Sequence, residues 1–198
     1  MTQNSYWFEE EVYNGVDIKE FIDNYSNESV DKEILKLEKN IKEVLSKLYD
    51  KDKYLIHNRS YEDLDNHVSE RAVVHRFARY FEDYYIKKIG WKHLHYDCEY
   101  NRNGYDLKTL HSYGNGTYPD FIVHRRGKND FNELVFEFKT WWNNDNLDDL
   151  YKVYQFVKSN TYMYKVGISI ILEKEEAQIY LIYRRGTQIY GTKFEFIA

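Results

Sequence analysis

The chain has 198 residues, of which 42% are hydrophobic and 31% charged, with a net charge of −5 at pH 7. That length supports one sizeable core, and the composition excludes disordered and fibrous classes. The acidic balance excludes a protein that coats nucleic acid indiscriminately, and no apolar run reaches the ~18 residues needed to span a bilayer, so a cytoplasmic protein without a membrane partner is expected.

In chain order, a short helix is expected at about residues 17–25. "SVDKEILKLEKNIKEVLSKLYD" then spaces Ile34, Leu37, Ile41, Val44 and Leu48 by threes and fours behind a Ser29 N-cap. This stripe suits packing on the domain or pairing with a second copy, which would make a homodimer. Residues 1–60 are read as an N-terminal helical arm and 61–198 as the main domain. The next helix, about 67–89, carries Lys87 and Lys88 in its last turn and stops at Gly90. "HLHYDCEYNR", "YPDFIVHR" and "NELVFEFKTWW" alternate as strands, "LDDLYKVYQFVKSN" reads as a helix, and "KVGISIILE" and "AQIYLIYRR" close the fold, with "TKFEFIA" as a further candidate strand. The expected architecture is α/β, a mixed central sheet flanked by helices. The lone Cys98 excludes an intrachain disulfide and any zinc site with two cysteine ligands, and is expected in the core.

Three charged residues interrupt two otherwise apolar strands. Alternation puts Glu137 and Lys139 on one face. If the strands form a hairpin about residues 127–130, paired positions sum to 257, and Asp120 falls opposite Glu137. Opposed side chains sit with Cβ atoms about 5 Å apart, so two acids there repel unless something positive intervenes. A hard divalent cation with oxygen ligands answers this, with the main-chain carbonyl of Phe138 completing the protein's share and Lys139 beside it to hold or polarise a water. Glu70 lies within about 20° of Phe77 and Phe81 on the preceding helix, hence on the sheet-facing side, where a carboxylate must find a partner. The alternative is a buried salt bridge of Lys139 with Glu137 or Asp120 that serves packing alone.

Pro119-Asp120, then Glu137-Phe138-Lys139, with Glu70 on the helix before them, resemble the PD-(D/E)XK nuclease superfamily. "SERAVVHRFARYFE", "DCEYNR", "PDFIVHRRG", "LVFEFK" and "DDLYKV" are similar to a bacterial group of small nuclease-like proteins within it, over about 65–185. The resemblance implies a restriction-endonuclease-like core and hydrolysis of phosphodiester bonds, in DNA by expectation, with Mg²⁺ or Mn²⁺. It implies that Asp120 and Glu137 bind the ion, that Glu70 supports it, and that Lys139 positions the attacking water.

Other residues divide between roles. Arg125, Arg126 and Lys128 in the hairpin turn, and Arg102, are candidate phosphate contacts as well as ordinary turn residues. His93, His95, Asp97, Glu99 and Asn101 share a strand face that reads as solvated or cleft-lining. Asp149 and Lys152, three apart on the later helix, read as a surface pair of little energetic weight. Trp141 and Trp142 suit packing or base stacking. A catalytically silent nucleic-acid-binding or assembly module on the same fold is the alternative to a nuclease, and an enzyme acting on a smaller phosphodiester is a third reading.

Overall fold

The computed structural model describes residues 30–57, 67–110, 116–143 and 146–198. The helix expected at about 17–25 lies outside them. Helix α1 (Lys32–Lys51) turns Ile34, Leu37, Ile41, Val44 and Leu48 onto the core. Packing on the domain is thus what the stripe does. Its N-cap is Asp31, whose carboxylate accepts the Glu33 N–H at 2.9 Å, and not Ser29. An aspartate there satisfies an orphan N–H and suits the positive end of the helix dipole. A single turn, α2 (Lys53–Ile56), follows.

Helix α3 (Glu70–Tyr84) buries Val73, Val74, Phe77 and Phe81 and continues through a π-helical turn, Tyr85–Ile89. Gly90, at φ 81°, closes it by returning its N–H to the Tyr85 carbonyl, a left-handed conformation that glycine adopts without steric cost. The expected stop is therefore correct, while the start falls at Glu70 rather than 67.

Among the described residues, six strands form one mixed sheet. They are β1 (His95–Cys98), β4 (Phe121–His124), β5 (Leu134–Thr140), β6 (Val166–Leu172), β7 (Glu176–Arg185) and β8 (Gln188–Ile197), in that spatial order. The pair β5 and β6 is parallel, joined by the crossover helix α4 (Asn146–Lys158), and every other neighbouring pair is antiparallel. Strand β1 stops earlier than the sequence suggests because Glu99 takes a left-handed φ of 50°. The chain then leaves the sheet for a separate hairpin, β2 (Arg102–Asn103) with β3 (Asp106–Leu107). Cys98 is exposed at that departure point, not in the core. The last strand is longer than "TKFEFIA".

Alternation along the strands makes two cores. Phe121, Val123, Phe136 and Phe138 pack with α1 and α3 on one face, and Ile122 and Val135 pack with Val153, Phe156 and Val157 of α4 on the other. Tyr49 fastens α1 to the β6–β7 turn, its hydroxyl lying 2.7 and 2.6 Å from the Glu173 and Glu176 carbonyl oxygens. Residues of α1 and α3 share one cluster, so α1 is part of the layered body.

The approach of α4 to the sheet is set at Gly167 in β6. A Cβ there would stand 2.9 Å from the Val153 carbonyl oxygen and 3.0 Å from Val157 Cγ2. Gly167→Ala must therefore lift the helix. It is expected to cost about 1–3 kcal/mol and to lower Tm by roughly 3–10 °C, measured by calorimetry; an unchanged Tm contradicts this account of the packing.

Candidate active site

The hairpin register decides what meets what. Phe121, Ile122 and Val123 pair with Phe136, Val135 and Leu134, the register expected from the sequence, and its continuation sets Asp120 against Glu137 just beyond β4. It also sets Pro119 against Phe138. Proline has no N–H to offer the Phe138 carbonyl, and the Phe138 N–H goes instead to Asp120 Oδ2 at 2.8 Å. The ladder ends there, and side chains take over.

Glu137 is only 1% exposed. Its Oε2 accepts a hydrogen bond from Lys152 Nζ at 2.9 Å, while Oε1 is buried without a hydrogen-bond partner. Burial, then the charge of Asp120, raises its pKa well above the ordinary range, against the pull of Lys152. Asp120 itself is pushed up to about 6, chiefly by burial; the Phe138 N–H and Lys152 oppose this, and Asp149 and Glu70 add to it.

Lys139 shares the α4 face with Glu137. Its ammonium is 3.0 Å from Asp149 Oδ2, an ion pair in distance whose angle departs from that of a hydrogen bond. Burial alone would lower the Lys139 pKa, but Asp149, followed by Glu70 and Asp120, raises it and keeps the ammonium charged. Glu70 reaches the same strand end from the first turn of α3, where its Oε2 accepts the Thr140 N–H at 3.0 Å and the Thr140 hydroxyl at 3.1 Å.

Asp149 and Lys152 are not the surface pair expected of them. Asp149 is 7% exposed and Lys152 has a side chain 14% exposed, and each pairs across to β5 rather than with the other. The sequence carried the signal. At 100° per residue Asp149, Lys152, Val153 and Phe156 fall within about 100° of arc, so the two charges ride on the apolar stripe of α4. Burial raises the Asp149 pKa against the pull of Lys139, and Lys152 is raised despite burial because Glu137 holds its proton.

The cluster thus contains four carboxylates, Glu70, Asp120, Glu137 and Asp149, and two ammoniums, Lys139 and Lys152. Fully ionised, it carries two uncompensated negative charges. It must take up protons or a cation. Among the described residues no three His, Cys, Asp or Glu side chains come together as a ready metal-binding group. Asp120 and Glu137 are the two acids set against each other, and Glu70 is occupied by Thr140.

The basic residues expected at phosphates lie elsewhere. Arg125, Arg126 and Lys128 follow β4, at the opposite end of the hairpin from Asp120, about 17 Å along the strand. Arg126 makes a bidentate pair with Asp97, which also meets His124 Nε2 at 3.0 Å. Arg125 lies over the Phe131 ring at 4.1 Å, and Arg102 donates to the Tyr105 carbonyl oxygen at 3.3 Å in the β2–β3 hairpin. His67 stacks on Trp142 and meets Trp141 edge-on, and Lys174 covers Trp141 at 4.6 Å. Both indoles therefore have packing partners.

No protein-family model matches the chain, and no curated protein or solved structure does. The site's own geometry is what bears on function. Among the described residues no helix is long and apolar enough to cross a membrane.

The acid pair has a measurable signature. Because folding raises the Asp120 pKa from 3.8 to about 6, the folded state binds more protons than the unfolded one in that interval, and this group's contribution to stability falls as pH rises through it. Asp120→Asn removes the effect. The variant is expected to gain in Tm relative to wild type as pH rises from 4 to 7 in the absence of divalent ions; a constant difference contradicts the assigned pKa direction.

Proposed function

We propose that this protein is a divalent-metal-dependent nuclease on a restriction-endonuclease-like core, hydrolysing phosphodiester bonds of nucleic acid, with DNA as the first substrate to test. The supporting observation is the unbalanced pair Asp120 and Glu137, opposed across one register position and carrying a buried carboxylate oxygen with no partner. Hard oxygen donors in charge excess suit Mg²⁺ or Mn²⁺. Asp120, Glu137 and the Phe138 carbonyl would hold the ion, with Glu70 supporting it from the Thr140 end. Such an ion supplies a lowered pKa for an attacking water and neutralises phosphate charge.

The chain's own groups do the remainder. Asp149 keeps the Lys139 ammonium charged at the end of β5, where it is suited to orient water and to meet charge developing on a phosphate oxygen. Pro119 ends the β4 ladder and so leaves the Phe138 carbonyl with no N–H from that residue.

A second reading, a catalytically silent nucleic-acid-binding or assembly module, is favoured by one feature: both lysines already have acid partners, as in a purely structural network. The two readings part in solution. The nuclease is expected to cut single- or double-stranded polymers with Mg²⁺ or Mn²⁺, to lose about 100-fold or more in rate on Lys139→Ala, and to lose Mn²⁺-binding heat on Asp120→Asn. Wild type that neither binds Mn²⁺ nor cuts overturns the nuclease reading and favours the silent module.

A further inference from the structure

We propose that Lys152 is a tethered counter-ion that holds Glu137 in the absence of a divalent cation, so that the ion enters the site by exchange against an ammonium. The inference rests on the reading of Asp120 and Glu137 as ion ligands. Lys152 Nζ stands 2.9 Å from Glu137 Oε2 and 3.0 Å from the Tyr118 carbonyl oxygen, and it acts electrostatically on Asp120 as well. It is thus the positive charge set among the opposed acids. Lys139, on the strand itself, is engaged instead by Asp149. The two lysines have separate tasks.

Exchange is mechanically simple here. The backbone of α4 packs closely over Gly167, and the exchange asks for no movement of the helix. A lysine side chain has four methylenes and can swing alone. Tyr118 is 53% exposed, so the carbonyl that already accepts from Lys152 marks a short way from the buried carboxylate to solvent. A divalent cation on Glu137 and an ammonium at hydrogen-bond distance from the same carboxylate repel, whereas either one alone neutralises it. The lysine therefore sets a threshold: it stabilises the ion-free fold and weakens ion binding by the same interaction.

Opposite changes in stability and affinity follow from removing it. Lys152→Met leaves Glu137 with no cation, and the variant is expected to melt below wild type without divalent ions, to recover more Tm than wild type on adding Mn²⁺, and to bind Mn²⁺ at least tenfold more tightly by calorimetry. Lys152→Gln serves the same purpose if the methionine variant does not fold. Lys152→Arg, which keeps the charge, is expected to bind Mn²⁺ no more tightly than wild type. If wild type binds Mn²⁺ and neither neutral variant binds it more tightly, Lys152 is not a competitor and the inference is overturned while the ion site stands. If neither wild type nor any of these variants takes up Mn²⁺, the ion-site reading fails and the exchange fails with it.

Discussion

Asp120, one residue before β4, and Glu137 in β5 come opposite each other when the register of the hairpin is continued, and the rest of the site answers the repulsion between them. At about 5 Å and an effective dielectric near 20, a pair of like charges repels by roughly 3 kcal/mol, which a domain of marginal stability does not carry without compensation. Three answers are present. Phe138 gives its N–H to Asp120, Lys152 reaches from α4 to Glu137, and Glu137 holds its proton more tightly than usual, through burial first and the charge of Asp120 second. The last of these marks the compensation as incomplete.

Why the compensation comes from α4 follows from topology. A parallel pair cannot be joined by a tight turn, so β5 and β6 require a crossover, and its helix must lie on a sheet face. Gly167 lets α4 settle close over that face, and the first turns of the helix then lie over the carboxyl end of β5. Glu70 enters at the same strand end from the opposite face, through Thr140. Three segments distant in sequence thus meet at the carboxyl end of β5.

What the sequence revealed about this site was whatever depends on period and turn. The opposition of Asp120 and Glu137 needed only the alternation of β5 and the position of the "GKND" turn. Glu70 was placed on the correct helix face by the same kind of reasoning, yet its partner, Thr140, depends on where the helix end meets the strand. The three-residue spacing of Asp149 and Lys152 suggests a local pair, whereas Val153 and Phe156 on the same stripe mark that face as buried. Arg126 looked free in a polar turn. Its partner Asp97 lies on β1, and the β1–β4 pairing that joins them has no local signal. Asp31 caps the helix because its carboxylate accepts the Glu33 N–H, a boundary decided by side-chain geometry that the stripe from Ile34 onward does not mark.

The two acidic centres on the α4 face of the sheet make the functional argument by contrast. Asp97, near the far end of the hairpin, is paired with Arg126 and His124; burial works against its charge, yet those partners hold its carboxyl well below the usual carboxylate range. His124 is kept neutral by burial, so one acid meets one guanidinium and the account closes. A network selected for stability alone has this form. Asp120 and Glu137 show the reverse: their pKa values are raised, one oxygen has no partner, and four acids share two lysines. The same sheet can satisfy a half-buried acid and does so at Asp97. That it leaves Asp120 and Glu137 incompletely compensated is the physical basis for proposing a ligand there, since perturbed groups of this kind are characteristic of binding and catalytic positions.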